Sequence, residues 1–146
     1  MTDTLAPTDI SAYGYFETVT LRYSDQDSMG HINNVAYAAY FEAGRMALFS
    51  EILKGMGDQK FNFVLANVSI DYLLEMRFPG DLKVGGRLLR VGTKSITTGF
   101  GAFLNGTCHA TATCVNVHFD RVTRKACPFD EDVKAALIAH MESEGA

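Results

Sequence analysis

The segment from Val35 to Met56 constrains this chain more than any other stretch. Most of its residues are apolar, and they point all round a helix rather than along one stripe, the pattern of a helix buried on nearly every side. Ala36, Ala38, Ala39, Ala43, Gly44 and Ala47 keep it slim, so that a curved sheet can wrap it closely. Glu42, Arg45, Glu51 and Lys54 interrupt it, and its longest unbroken apolar run, Val35 to Phe41, falls far short of the ~20 residues a bilayer requires. Gly55 and Gly57 supply the stop, and either Asn33 or Asn34 can cap the start.

Upstream, Phe16 to Tyr23 alternates, with Val19, Leu21 and Tyr23 on one face and Thr18, Thr20 and Arg22 on the other, as in a half-buried strand. Between strand and helix lies a turn that carries Asp25, Asp27 and Gly30. A helix start leaves backbone N–H groups without intrahelical partners and bears roughly half a positive elementary charge, so it can polarise a carbonyl or hold an anion. Asp27 stands just before that start.

Downstream, the apolar phase of Phe61 to Tyr72 is odd at Phe61, Phe63 and Leu65 but even at Val68, Ile70 and Tyr72. That slip predicts a strand with a β-bulge near Ala66 or Asn67. Pro79-Gly80-Asp81 marks a turn, Leu82 to Lys94 a third strand bent at Gly85-Gly86, and Thr97 to Leu104 a fourth. Asn105-Gly106 suits a type I′ hairpin, whose two central residues need positive φ, and Thr107 to Phe119 forms the fifth strand. A turn with three cations, Arg121, Arg124 and Lys125, leads to a short terminal helix capped by Asp130 and carrying Val133, Leu137 and His140. One long helix followed by four strands leaves no crossover helices for parallel pairing, so the class is α+β with an antiparallel sheet. Residues 1–14 read as a loose polar lead-in, and with no repeat or linker residues 1–146 read as one domain.

Charge narrows the partners. At a net −4 the chain offers neither a nucleic-acid surface nor a broad basic field for anionic membranes, so a phosphorylated ligand would have to meet a local basic patch. Cys108, Cys114 and Cys127 are odd in number and lack CxxC spacing, which reads as reduced thiols in a cytoplasmic protein. The first residues show neither a basic region nor an apolar core of an export signal.

Asp25-Gln-Asp27-Ser-Met-Gly30-His31-Ile-Asn33-Asn34, followed by Tyr37, Tyr40-Phe41-Glu42 and Arg45, resembles the 4-hydroxybenzoyl-CoA thioesterase-like family of the hotdog fold. The likeness extends in element order from about Phe16 to Leu137. It implies a five-stranded antiparallel sheet wrapped around the long helix, with a short C-terminal helix, and subunits that pair edge to edge as homodimers, often assembled further into homotetramers. It also implies hydrolysis of an acyl-CoA at the dimer interface, pantetheine lying along the partner's strands, with Asp27 as the catalytic carboxylate. Where some members carry His or Tyr, this chain has Asn34, and an amide can orient water or substrate but cannot exchange a proton near neutral pH.

Thioester hydrolysis needs a nucleophile and a means of stabilising the carbonyl oxygen as it gains charge. Asp27 supplies the first, by attacking to form an anhydride or by activating water, and backbone N–H groups between Gly30 and Val35 supply the second. Asp25 reads as structural; Asn33 and Asn34 read as caps first, with Asn34 next as a substrate contact at the catalytic centre and Asn33 as a further substrate-binding candidate, and His31 is a candidate for bracing the loop or for catalysis. Tyr37 is placed to line the acyl pocket. Glu42 and Arg45, three apart on one helix face, suit an ion pair. Arg121, Arg124 and Lys125 are the first candidates for coenzyme A phosphates, followed by Arg87, Arg90 and Lys94. Cys108, His109, Cys114 and His118 have no recognised zinc spacing, so neither metal nor cofactor is expected, coenzyme A being part of the substrate. An acyl carrier protein thioesterase and a non-catalytic acyl-CoA sensor are the alternatives. A dehydratase of the same fold would want a His-based acid/base pair, and none is visible beside Asp27.

Overall fold

The structure, a computed structural model, describes residues 5–57 and 60–144. Five strands make one sheet: β1 (Tyr15–Thr20), β2 (Phe63–Tyr72), β3 (Asp81–Val91), β4 (Ser95–Leu104) and β5 (Thr107–His118). Their order is β1-β3-β4-β5-β2 and every neighbouring pair is antiparallel, as the lack of crossover helices requires. The long helix α1 (Asn34–Ile52) packs against β1, β3 and β4, and α2 (Glu131–Glu144) against β3, burying Val133 and Leu137. Among the described residues no helix is long and apolar enough to cross a membrane.

Tyr37, Tyr40, Phe41, Gly44, Leu48 and Phe49 of α1 return every three or four residues and are buried, meeting Leu82, Val84, Ile96, Phe100, Ala102 and Ala112 in one core. Gly44 sets the approach: a Cβ there would lie 2.5 Å from Val84 Cγ1. The helix is not covered on every side, however. Val35, Ala38, Ala39, Glu42 and Met46 are exposed, so a largely apolar flank of α1 lies bare among the described residues. Its last helical residue is Ile52 rather than Met56, and Gly55 and Gly57, at φ +85° and +90°, follow in the turn beyond.

The strand before α1 also stops early. β1 ends at Thr20, Leu21 is buried, and Tyr23 opens a 3-10 turn (Tyr23–Asp25) with its side chain 75% exposed rather than inside the sheet. The bulge in β2 falls between Leu65 and Asn67, where the phase slip puts it. In β3 a register shift falls at Leu88/Arg90. Gly85 and Gly86 allow close packing: a Cβ on Gly85 would come within 2.7 Å of Tyr13 Cγ, and one on Gly86 within 2.8 Å of Phe100 Cε1. Asn105 and Gly106 take φ of 52° and 82°, the two positive angles a type I′ turn needs.

Sheet order leaves β2 at an edge. Val64, Leu65, Val68 and Tyr72 are all exposed there, on a largely apolar strand of ten residues that pairs with β5 on one side and, among the described residues, with no strand on the other.

Candidate active site

The residues from Asp25 to Asn33 fold into a tight hairpin that docks on α1. Gln26 and Ile32 form an antiparallel bridge, Asp27 N donates to His31 O at 2.8 Å, and Gly30 turns the chain at φ +82°. Asn33 is the helix cap, its Oδ1 accepting from Val35 N at 2.8 Å. Asp25 is the hairpin's buried anchor: it accepts from Arg22 Nε and Nη2 at 3.1 and 2.8 Å and from Tyr40 Oη at 2.7 Å. Burial pushes the Asp25 carboxyl up, but the hydrogen bonds from Arg22 and Tyr40 outweigh it and hold the group below the usual carboxylate range. The same burial and the Asp25 charge push the Tyr40 phenol well above its ordinary value.

Asp27 faces the other way. Its Oδ1 accepts from Met29 N at 2.9 Å and His31 N at 3.3 Å, and its Oδ2 has no hydrogen-bond partner among the described residues. With His31, Ile32, Asn34, Tyr37, Tyr72, Leu73, Leu74 and Glu75 it lines a pocket of about 220 Å³. Tyr37 is buried at the pocket wall, its ring edge-on to Tyr72 at 5.2 Å, and Tyr72 Oη donates to Asn34 O at 3.3 Å.

Backbone donors at the helix start are fewer than the sequence suggests. Gly30 N donates to Asp27 O, His31 N to Asp27 Oδ1, Ile32 N to Met76 O, Asn33 N to Asp25 O and Val35 N to Asn33 Oδ1. Between Gly30 and Val35 this leaves only the Asn34 N–H without an acceptor among the described residues. Folding the hairpin consumes the others.

Glu75 is the site residue that sequence reasoning missed. Beyond β2 the chain curls so that Leu73 N and Leu74 N both donate to His109 O, and Ile32 N ties Met76 O to the hairpin. Glu75 Oε2 thereby arrives 2.7 Å from His31 Nε2, with Arg77 Nη2 3.3 Å from the same oxygen. A His–carboxylate pair does stand beside Asp27, contrary to expectation. It could not be read from spacing because 44 positions of chain separate its members.

Other candidates lie elsewhere. Arg121 donates to Asn62 Oδ1 and to Phe61 O at 3.4 Å, and Arg124 sits over the Phe119 ring, so these two and Lys125 occupy the turn after β5, near the Phe63 end of β2. Ten residues of strand, about 30 Å, separate that end from Tyr72 and the pocket. Arg87 donates to Leu5 O at 2.9 Å and covers the Tyr13 ring. Arg45 is buried, with Glu42 at 3.8 Å and Cys114 Sγ at 3.6 Å. Among the described residues no group of three or more His, Cys, Asp or Glu side chains is placed to hold a metal.

Known proteins share this architecture. A predicted thioesterase from Bacillus stearothermophilus is 28% identical, with a TM-score of 0.79 over 86% of this chain and 95% of its own. A thioesterase from Thermus thermophilus, solved with coenzyme A and Zn, is 25% identical, with a TM-score of 0.80 over 89% and 96%. Protein YsmA of Bacillus subtilis (strain 168) is 27% identical over 129 residues, 88% of each chain. The model of the thioesterase-like superfamily matches residues 21–137, a span that runs from the end of β1 through the Asp27 hairpin and the rest of the sheet into α2. With that hairpin, helix and sheet order, this hotdog-fold chain is a thioester hydrolase and belongs to the thioesterase-like superfamily.

Proposed function

We propose that the thioester cleaved is an acyl-CoA, hydrolysed to the free acid and coenzyme A at the Asp27 pocket. The observation that carries this reading is that Asp27, with one carboxylate oxygen unengaged, and Asn34, with the one uncommitted N–H of the helix start, line the same pocket. A thioester carbonyl oxygen that accepts from Asn34 N gains charge against the positive end of α1, a contribution worth about 3 kcal/mol per donor in other enzymes. Asp27 then delivers the oxygen, attacking to give an anhydride or directing a water. Every role falls to a group of the chain, so the reading calls on no metal or cofactor. The coenzyme A in the Thermus thermophilus structure supports this class of substrate.

The working unit in this reading is a homodimer joined through β2, which itself can pair into a homotetramer. The exposed edge and the bare flank of α1 support it, and so does the pocket, whose 220 Å³ is below the ~300 Å³ at which ligand pockets begin. When β2 pairs antiparallel with its own copy across a two-fold axis, each Phe63 end lies beside the other's Tyr72 end. Arg121, Arg124 and Lys125, a strand's length from their own pocket, thereby come next to the partner's, where coenzyme A phosphates need cations. The three free cysteines suit a cytoplasmic setting.

The test is thiol release from acetyl-, octanoyl-, palmitoyl- and benzoyl-CoA by wild type and Asp27→Asn. Turnover by wild type that falls at least about 100-fold in the variant is expected. Wild-type rates in the variant would remove Asp27 from the mechanism. Silence of both proteins would point to acyl carrier protein esters, or to binding without turnover if a CoA ester is retained. Label in the Asp27 carboxylate after a single turnover in heavy-oxygen water would establish the anhydride route, since directing a water leaves none there.

A further inference from the structure

We infer that Glu75 and His31 form a working proton-transfer dyad, in which Glu75 positions the imidazole and His31 carries the proton that hydrolysis moves. The inference rests on the reading of the Asp27 pocket given above and adds a second chemical group to it.

The geometry starts at the contact between them. A carboxylate oxygen 2.7 Å from an imidazole nitrogen requires a proton in between, so His31 Nε2–H donates to Glu75 Oε2. Arg77 Nη2 lies 3.0 Å from the same nitrogen, but a guanidinium has only donors, and two donors cannot share that contact. Arg77 therefore serves Glu75 Oε2, at 3.3 Å, and Gly30 O, at 3.4 Å, and locks the carboxylate against the hairpin. With Nε2 protonated, Nδ1 is the basic nitrogen, and among the described residues nothing donates to it. This is the arrangement in which a carboxylate selects the tautomer of a proton-carrying histidine.

Placement and magnitude favour chemistry over bracing. His31 and Glu75 both line the pocket that Asp27 lines. The His31 backbone also registers it against Asp27, giving its carbonyl to Asp27 N and its N–H to Asp27 Oδ1. Glu75 and Arg77 side chains are 61% and 62% exposed. Ion pairs so open contribute little to folding, so stability alone gives weak reason to gather three titratable side chains at the mouth of the site.

Hydrolysis supplies the task. One water oxygen ends bonded to the carbonyl carbon, and the carbon–sulfur bond breaks with its electron pair on sulfur. When Asp27 directs a water at the thioester, the proton that this water loses passes to His31 Nδ1 and is delivered to the coenzyme A thiolate, while the second water proton leaves as the product acid ionises. Asn34 cannot carry either proton, and Asp27 is occupied in delivering oxygen.

A double-mutant cycle tests this on the full chain with the four acyl-CoA esters above. Glu75→Ala is expected to lower kcat about 10- to 100-fold with KM within about threefold, the usual cost of removing the group that orients an active histidine. In a His31→Ala background the same change is expected to cost less than about twofold. Nitrogen NMR of the imidazole is expected to show the Nε2–H tautomer in wild type and its loss in Glu75→Ala. Undiminished kcat in Glu75→Ala, an equal loss in both backgrounds, or an unaltered tautomer would each overturn the dyad. If Asp27→Asn is dead while Glu75→Ala is unimpaired, the dyad alone fails; if wild type releases no thiol from any ester, the acyl-CoA reading fails first.

Discussion

Tyr40 Oη donates to Asp25 Oδ2 at 2.7 Å, joining the second turn of α1 to the hairpin that presents Asp27. Both residues are buried, so the phenol and the carboxylate are each other's best available partner on that side. Tyr40→Phe keeps the ring but leaves Oδ2 with only the Arg22 backbone N–H, at 3.3 Å. Loss of about 1–2 kcal/mol in urea denaturation is expected, together with a lower kcat as the hairpin loosens. A variant as stable and as active as wild type would show that the bond does not hold the site.

Asp25 also makes a pH prediction. Its folded carboxyl titrates below the unfolded value of about 3.9. Between the two values the unfolded chain binds more protons, so stability rises with pH there. Its contribution is full above the unfolded value and is lost as pH falls through the folded one. Denaturation of wild type and Asp25→Asn from about pH 6 down to about pH 3 should converge at the acidic end; a constant gap would contradict this.

Packing at Gly44 is tight enough to test by a single methyl group. The Cβ of Gly44→Ala would meet Val84 Cγ1 at 2.5 Å and Val84 Cβ at 3.2 Å, and a β-branched side chain has little freedom to move aside. Overpacking of about 1–3 kcal/mol should exceed the ~1 kcal/mol that Ala gains over Gly in a helix. Thermal melts should show Gly44→Ala below wild type and the double variant with Val84→Ala partly restored. A more stable single variant would mean that helix and sheet can part at no cost.

If two copies pair through β2 as proposed, charge on its open edge should keep them apart. Val68→Glu with Leu65→Glu places like charges where two copies of β2 would meet, and both positions are exposed in the single chain, so folding is spared. Sedimentation should report a folded monomer, and thiol release should fall with it if the site needs the second copy. Full activity in a verified monomer would confine the pocket to one chain.

Much of this architecture is legible in local pattern. The phase slip before Val68 marks the β2 bulge because side chains alternate strictly along a strand, and Asn105-Gly106 marks its hairpin because few other pairs take two positive φ angles. The all-round apolar run marks α1, but reads it as buried on nearly every side. Pattern measures what a helix would like to cover, and the flank from Val35 to Met46 has no cover among the described residues. Tyr23 shows the reverse error, an aromatic residue in strand phase that the hairpin carries into solvent.

Within the site, local pattern was enough for the Asp27 turn and the helix behind it, since each depends on neighbours a few positions away, and it narrowed the cap to Asn33 or Asn34. It took the folded chain to show that Asp25 is buried while Asp27 keeps one carboxylate oxygen unengaged, that Asn33 is the cap, that among the described residues from Gly30 to Val35 the Asn34 N–H is the one left without an acceptor, and that Glu75 meets His31. Those outcomes depend on hydrogen bonds between segments far apart in the chain, such as Ile32 N to Met76 O, and no local periodicity encodes a partner 44 residues away.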